Sequence, residues 1–129
     1  MKTKKILFAL LVLLFAGFTA HAQVPKLPTA DLSKQVLGIL DNTNGLTLNA
    51  DQKSKLGANN KSFVDQLFKI TGGSDSEDTK KAGILNLKNS RTKFLTDLLG
   101  SDLFSKYSGN VLKAINPLKS KLGLAALAF

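Results

Sequence analysis

Residues that could carry out chemistry are scarce in this sequence, and most of them are carboxylates. The chain has no Cys, one His and one Met, and the last two, His21 and Met1, lie near the amino terminus. Beyond residue 22 we therefore expect no Ser–His or Cys–His nucleophile and no transition-metal site of imidazole, thiolate or thioether ligands. An acid–base pair would need Asp residues or the lone Glu77, whose spacing predicts no convergence. The sequence predicts a non-enzymatic protein without a cofactor.

The densest group of carboxylates, Asp75, Glu77 and Asp78, follows a glycine pair that should end a helix. These residues could bind calcium, but they lack the ligand spacing and the terminal Glu of an EF-hand loop. A helix start also attracts acidic side chains, because the macrodipole is positive there. We therefore favour a capping role for this group, with Ser74 and Glu77 as a capping box.

Residues 1–22 have the pattern of a cleaved signal peptide. Three lysines among the first five residues form a positive n-region, residues 6–15 are apolar, and residues 20–22 read Ala-His-Ala. The apolar run is short for a membrane anchor, which needs roughly 20 residues. We expect an exported protein, periplasmic or secreted, whose residues 23–129 form a single helical domain.

The chain is basic, but its charge is diffuse. The formal net charge of +9 falls to +6 when the three signal lysines are removed. Arg91 is the single arginine and the lysines are scattered, so the clustered basic and aromatic face of a nucleic-acid binder is missing. The charge favours acidic protein partners or anionic lipid, and no nucleic acid is expected as a partner.

A nine-residue phrase occurs twice, and each copy has the pattern of a helix start. Residues 48–56 read LNADQKSKL, and residues 99–107 read LGSDLFSKY. The first copy offers an N-cap and a capping-box partner, and the second offers two alternative caps. The motif residues are Leu48, Asn49 and Gln52 in the first copy, and Leu99 with Ser101 or Asp102 in the second. The repeat indicates either one helical hairpin used twice or a chance coincidence of common residues.

Apolar residues spaced three and four apart predict an all-α fold, a small helical hairpin or bundle of about four helices plus a short C-terminal helix. The predicted helices cover residues 30–40, 50–70, 75–99 and 102–115, with a final turn opening at Asn116 as N-cap. The fourth helix should bury Tyr107, Val111, Leu112 and Ile115. The apolar tail of residues 123–129 should dock into the core, although it could protrude instead.

Asn60 interrupts the apolar seam of the second helix. We expect it at the exposed margin of the stripe, although a buried Asn could fix register with a partner helix. Aromatic residues on the second to fourth helices could line a cavity between helices or form an apolar interaction surface. They are Phe63, Phe68, Phe94, Phe104 and Tyr107.

The repeated phrase resembles the LTxxQ motif of the Spy/CpxP-like periplasmic proteins, which carry two copies of Leu-Thr-x-x-Gln at helix starts. Residues 48–52 read Leu-Asn-Ala-Asp-Gln, so Asn replaces the capping Thr, while residues 99–103 read Leu-Gly-Ser-Asp-Leu. The resemblance implies small helical hairpins, commonly homodimeric cradles, that act as ATP-independent holdases, regulators of envelope-stress sensors or metal sensors. The lack of His, Met and Cys beyond residue 22 argues against a metal sensor.

The residues and the resemblance together favour an exported, non-enzymatic helical interaction protein. Its function would be that of a Spy-like holdase chaperone or an envelope-stress regulator, with protein clients or envelope proteins as partners. A carrier of lipid or of another small apolar ligand is one alternative. A structural protein without a ligand is the other.

Overall fold

The computed structural model describes residues 29–129, so the predicted signal peptide lies outside the described residues. The main helices are α1 (Thr29–Leu40), α2 (Ala50–Thr71), α3 (Glu77–Leu99) and α4 (Ser101–Ile115). They are followed by a 3-10 turn (Asn116–Leu118), the one-turn helix α5 (Lys119–Leu122) and a second 3-10 stretch (Gly123–Ala128). No strand occurs between residues 29 and 129. The predicted all-α bundle of about four helices with a short C-terminal helix is confirmed.

The helices pack around one apolar core. Helix α3 contacts α2, α4 and the last 3-10 stretch, while α1 packs against α2 and α4. On α2, Leu56, Phe63 and Leu67 are buried at the predicted three- and four-residue spacing. Burying a large apolar side chain contributes about 1.5–3 kcal/mol, so this seam holds the bundle together.

The apolar tail, residues 123–129, docks against the bundle, which is the favoured one of its two predicted positions. Ala125 and Ala128 are buried, and the Phe129 ring meets Phe63 edge-on with the ring centroids 5.8 Å apart. Lys88 Nζ also donates a hydrogen bond to the Phe129 carbonyl oxygen at 3.3 Å. These contacts join the segment to α2 and α3.

Three details of the helical prediction are wrong. Ser76, not Ser74, caps α3 with its hydroxyl, because the helix begins at Glu77 and Ser74 lies in the preceding turn. Asn116 is not an N-cap, since its N–H donates to the Leu112 carbonyl and its backbone is already helical. Leu112 itself is 44% exposed, because α4 directs Val111 and Ile115 inward instead.

Candidate functional site

The first copy of the repeated phrase forms the predicted capping box. The Gln52 N–H donates to Asn49 Oδ1 at 2.8 Å, and the Asn49 N–H donates to Gln52 Oε1 at 3.1 Å. Gln52 has a further role that the local pattern did not predict, because its Nε2 donates to the Leu98 carbonyl at 3.2 Å. The box therefore also ties the start of α2 to the end of α3.

The second copy works differently, and the expected cap by Ser101 or Asp102 is wrong. Helix α4 already begins at Ser101, and its N-cap is Gly100, which makes no side-chain cap hydrogen bond. Gly100 has φ 79° and ψ 164°, a conformation that is essentially restricted to glycine. This conformation lets the chain pass from the end of α3 to the start of α4 through the single residue Gly100. The leucines that open the two copies, Leu48 and Leu99, are both buried in the core.

The five aromatic residues do not form one exposed surface. Phe63 and Tyr107 are buried in the core and form no exposed interaction face, whereas the alternative that aromatic residues line a space between helices holds for Phe63, Phe104 and Tyr107. Phe68, Phe94 and Phe104 are half-buried and pack against that core. The aromatic rings are therefore used largely for internal packing.

A buried polar network crosses the core where α1, α2, α3 and α4 meet. Asn60 is fully buried, so its predicted exposed position is wrong. Its Nδ2 donates to the Leu40 carbonyl and to Asp41 Oδ1, each at 2.9 Å. The Tyr107 hydroxyl donates to the same Leu40 carbonyl at 2.7 Å. The last carbonyls of a helix have no partner within it, so these two side chains close the end of α1.

Arg91 joins this network from α3 and is 8% exposed. Its Nη2 donates to the Tyr107 hydroxyl at 3.0 Å, and its Nη1 donates to Asn59 Oδ1 at 2.8 Å. The guanidinium carbon also lies 4.6 Å from the centroid of the Phe63 ring, which is a cation–π distance. Arg91 thus links α2 and α4 through contacts on several sides of its guanidinium.

Burial acts on the two titratable groups of the network in opposite directions. It lowers the pKa of Arg91 from its usual value, an effect opposed by its interaction with Tyr107. Burial likewise raises the pKa of Tyr107 above 10.0, and the adjacent Arg91 partly offsets that rise. At neutral pH the arrangement therefore contains a cationic guanidinium beside a neutral phenol, which donates its proton to a backbone carbonyl. These hydrogen bonds hold α1, α2, α3 and α4 together, and the Arg91 guanidinium gives the network a positive charge.

Two grooves open on either side of Arg91, which lines both. The polar groove lies between α2 and α3 and has a volume of about 340 Å³. The apolar groove lies mainly between α3 and α4, is closed by Ala128 and Phe129, and has a volume of about 270 Å³. Its apolar lining includes Leu95, Phe104, Val111 and Leu112.

The polar network was not predicted, although the sequence contained a signal for it. Asn60, Arg91 and Tyr107 each occupy a core-facing position on a different helix. A polar residue at such a position needs hydrogen-bond partners when it is buried. Three of them on three helices could have indicated a shared network, but the spacing within each helix does not say which residues meet.

Within residues 29–129, no group of three or more His, Cys, Asp or Glu side chains is placed to hold a metal ion. No helix in this range is both long and apolar enough to cross a membrane. Comparison of the chain with protein-family models, curated proteins and solved structures found no match. The two grooves and the polar network between them are therefore the features of the chain that bear on its function.

Proposed function

We propose that this chain is an exported, non-enzymatic interaction protein that binds exposed apolar segments of protein clients at its apolar groove. The observation that carries the proposal is the groove itself, which is lined by the exposed Leu112, the half-buried Phe104 and the inner edge of the core at Leu95 and Val111. Apolar surface that remains open in a folded domain commonly marks a site of interaction. A client side chain entering the groove would remove this surface from water.

The charge around the apolar groove supports acidic clients. Lys88 and Arg91 both line it, and its lining includes no Asp or Glu. A positive rim attracts acidic segments and suppresses the approach of basic ones. This combination of apolar contact and positive charge is the chemistry expected of the ATP-independent holdases and envelope-stress regulators that the LTxxQ motif suggests.

The proposal of export depends on residues 1–22, whose positive start, apolar run and Ala-His-Ala triplet fit a signal peptide. Mass determination of the protein recovered from the host's extracytoplasmic fraction would test cleavage before Gln23. Recovery of the uncleaved chain in the cytoplasm would contradict it.

An aggregation assay tests the proposed function. The purified protein should suppress aggregation of an acidic unfolded client at about stoichiometric amounts, and Leu112→Gln should weaken that suppression. Leu85→Gln is the matched control, because Leu85 is similarly exposed at 47% but does not line the groove. Equal suppression by both variants, or none by the parent protein, would show that the apolar groove does not hold clients.

A carrier of lipid or of another small apolar ligand is the second candidate, and the same groove favours it. Its volume of about 270 Å³ is close to the lower end of the range for ligand pockets, roughly 300–1,000 Å³. Native mass spectrometry of the purified protein would detect a co-purified lipid. The same spectra would report whether the chain forms the homodimer that the LTxxQ resemblance implies.

A further inference from the structure

Arg91 is a buried cation without a close carboxylate partner among residues 29–129. The ion pairs found in this range, Lys55–Asp51 and Lys61–Asp65, are exposed pairs within α2. Burial lowers the pKa of Arg91, and the Asp41 carboxylate opposes that effect less than Tyr107 does. That carboxylate accepts a hydrogen bond from Asn60. A buried charge is costly unless it is paired. The negative end of α1 and the neutral partners of Arg91 therefore compensate its charge incompletely.

The polar groove is one of the two sides from which an outside partner could approach this charge. Its lining combines apolar side chains, among them Phe63, Ile70 and Leu87, with amides and hydroxyls from both helices that flank it. The amides and hydroxyls are those of Asn59, Ser62 and Gln66 from α2, and of Asn86 and Ser90 from α3. Arg91 is the single charged residue in that lining. The guanidinium consequently sets the sign of the potential in the groove, which favours an anion.

The Arg91 guanidinium also has N–H groups from which no described residue accepts a hydrogen bond. It carries five N–H groups, and described residues accept from two of them, one through Asn59 and one through Tyr107. The Phe63 ring covers one face of the group, which leaves its edges for in-plane hydrogen bonds. The planar fork of an arginine matches a carboxylate well.

We propose that the polar groove binds a small organic acid with a single carboxylate and several hydroxyl groups, and that Arg91 is its charge partner. One cation balances one negative charge, and no lysine lines the groove to support a doubly charged phosphate. The amides and hydroxyls of Asn59, Asn86 and Ser90 can both donate to and accept from ligand hydroxyls. The volume of about 340 Å³ falls within the range of small-molecule sites, roughly 300–1,000 Å³. This site shares Arg91 with the apolar groove, but its other lining residues are different ones.

Titration with gluconate and galacturonate tests the proposal, because each carries one carboxylate and several hydroxyls. We expect saturable shifts of the Arg91 Nε–H resonance in NMR spectra and a rise in melting temperature with either or both acids. Sorbitol, a neutral polyol, and sodium chloride at equal ionic strength should produce neither effect. The proposal is wrong if neither acid saturates the groove, or if sorbitol acts as they do.

Substitutions at Ser90 distinguish the effect of a negative charge in the groove from the effect of a larger side chain. Ser90 lines the groove and is exposed, so Ser90→Asp adds a carboxylate to the lining that contains Arg91, with little effect on packing. We expect this variant to melt at a higher temperature and to bind the acid about tenfold more weakly or worse, since an internal anion replaces the ligand. Ser90→Asn, which has similar size and no charge, should keep acid binding. Unchanged acid binding by Ser90→Asp would overturn the assignment of Arg91 as the charge partner.

Discussion

Arg91 on α3 donates a hydrogen bond to the Tyr107 hydroxyl on α4 at 3.0 Å, and that hydroxyl donates in turn to the Leu40 carbonyl at 2.7 Å. Helices α3 and α4 are thereby joined to Leu40, the last residue of α1. Among residues 29–129, no buried side-chain nitrogen or oxygen lacks a hydrogen-bond partner. A polar network whose buried nitrogen and oxygen atoms have partners rigidifies a core and favours one arrangement of its helices.

Removal of the Tyr107 hydroxyl tests how much this network stabilises the fold. Tyr107→Phe keeps the ring but leaves Arg91 Nη2 without its acceptor and the Leu40 carbonyl with Asn60 as its partner. We expect a loss of about 1–3 kcal/mol in the free energy of unfolding, the usual effect of an unpaired buried donor. Urea denaturation would measure it. A loss near zero would mean that water replaces the hydroxyl without cost.

The pH dependence of stability gives a second test, because Tyr107 is the single tyrosine in a chain without tryptophan. Its pKa is raised above 10.0 in the fold by burial. Above about pH 10 the Tyr107 hydroxyl loses its proton in the unfolded chain but keeps it in the folded chain. The free energy of unfolding should therefore fall as the pH rises from about 10 to the higher pKa of Tyr107 in the fold. Below about pH 10 the contribution is fully present.

Tyrosinate absorbance would follow this titration directly. We expect the folded protein to titrate above the midpoint of the urea-unfolded protein, which should lie near the ordinary value of 10.0. Tyr107→Phe should remove the corresponding part of the alkaline loss of stability. Coincident midpoints for the folded and unfolded protein would show that Tyr107 is solvated.

Asn60 should contribute to stability far more than an exposed asparagine. Asn60→Ala removes the donor that binds the Leu40 carbonyl and Asp41, and we expect a loss of about 1–3 kcal/mol. Asn89→Ala on α3 is the matched control, because Asn89 is exposed and alanine favours a helix. Chemical denaturation of both variants is the measurement, and equal effects would argue against a structural role for the buried amide.

The two copies of the repeated phrase should respond differently to substitution. Asn49→Ala removes the α2 cap and should cost about 0.5–2 kcal/mol, whereas Asn49→Thr should keep most of the stability. Gln52→Ala should also be destabilising, because it removes the bond to the Leu98 carbonyl as well as half of the box. Ser101→Ala should change the melting temperature little, since Ser101 makes no cap. A large loss from Ser101→Ala would contradict the second-copy geometry.

The comparison of the two copies shows where local reasoning succeeds. The Asn49–Gln52 box spans three residues, and its hydrogen bonds form within one turn of helix, so residue types and spacing suffice to predict it. The cap predicted for the second copy is wrong because Gly100 adopts a backbone conformation that makes α4 start at Ser101, one residue earlier than predicted. A glycine permits that conformation but does not require it.

The sequence alone determined the all-α class, the limits of α2 to within a residue or two and the cap at Asn49, while it left open whether the apolar tail docks. These features follow from periodicity and from contacts between neighbours in the chain. Only the tertiary structure decided that Asn60, Arg91 and Tyr107 meet, because Tyr107 lies 16 residues from Arg91 and 47 from Asn60 in the chain. Periodicity tells which face of a helix is inward, but the partner opposite a buried polar side chain depends on how the helices pack. The same packing opened the two grooves beside Arg91, and their chemistry is what the proposed functions depend on.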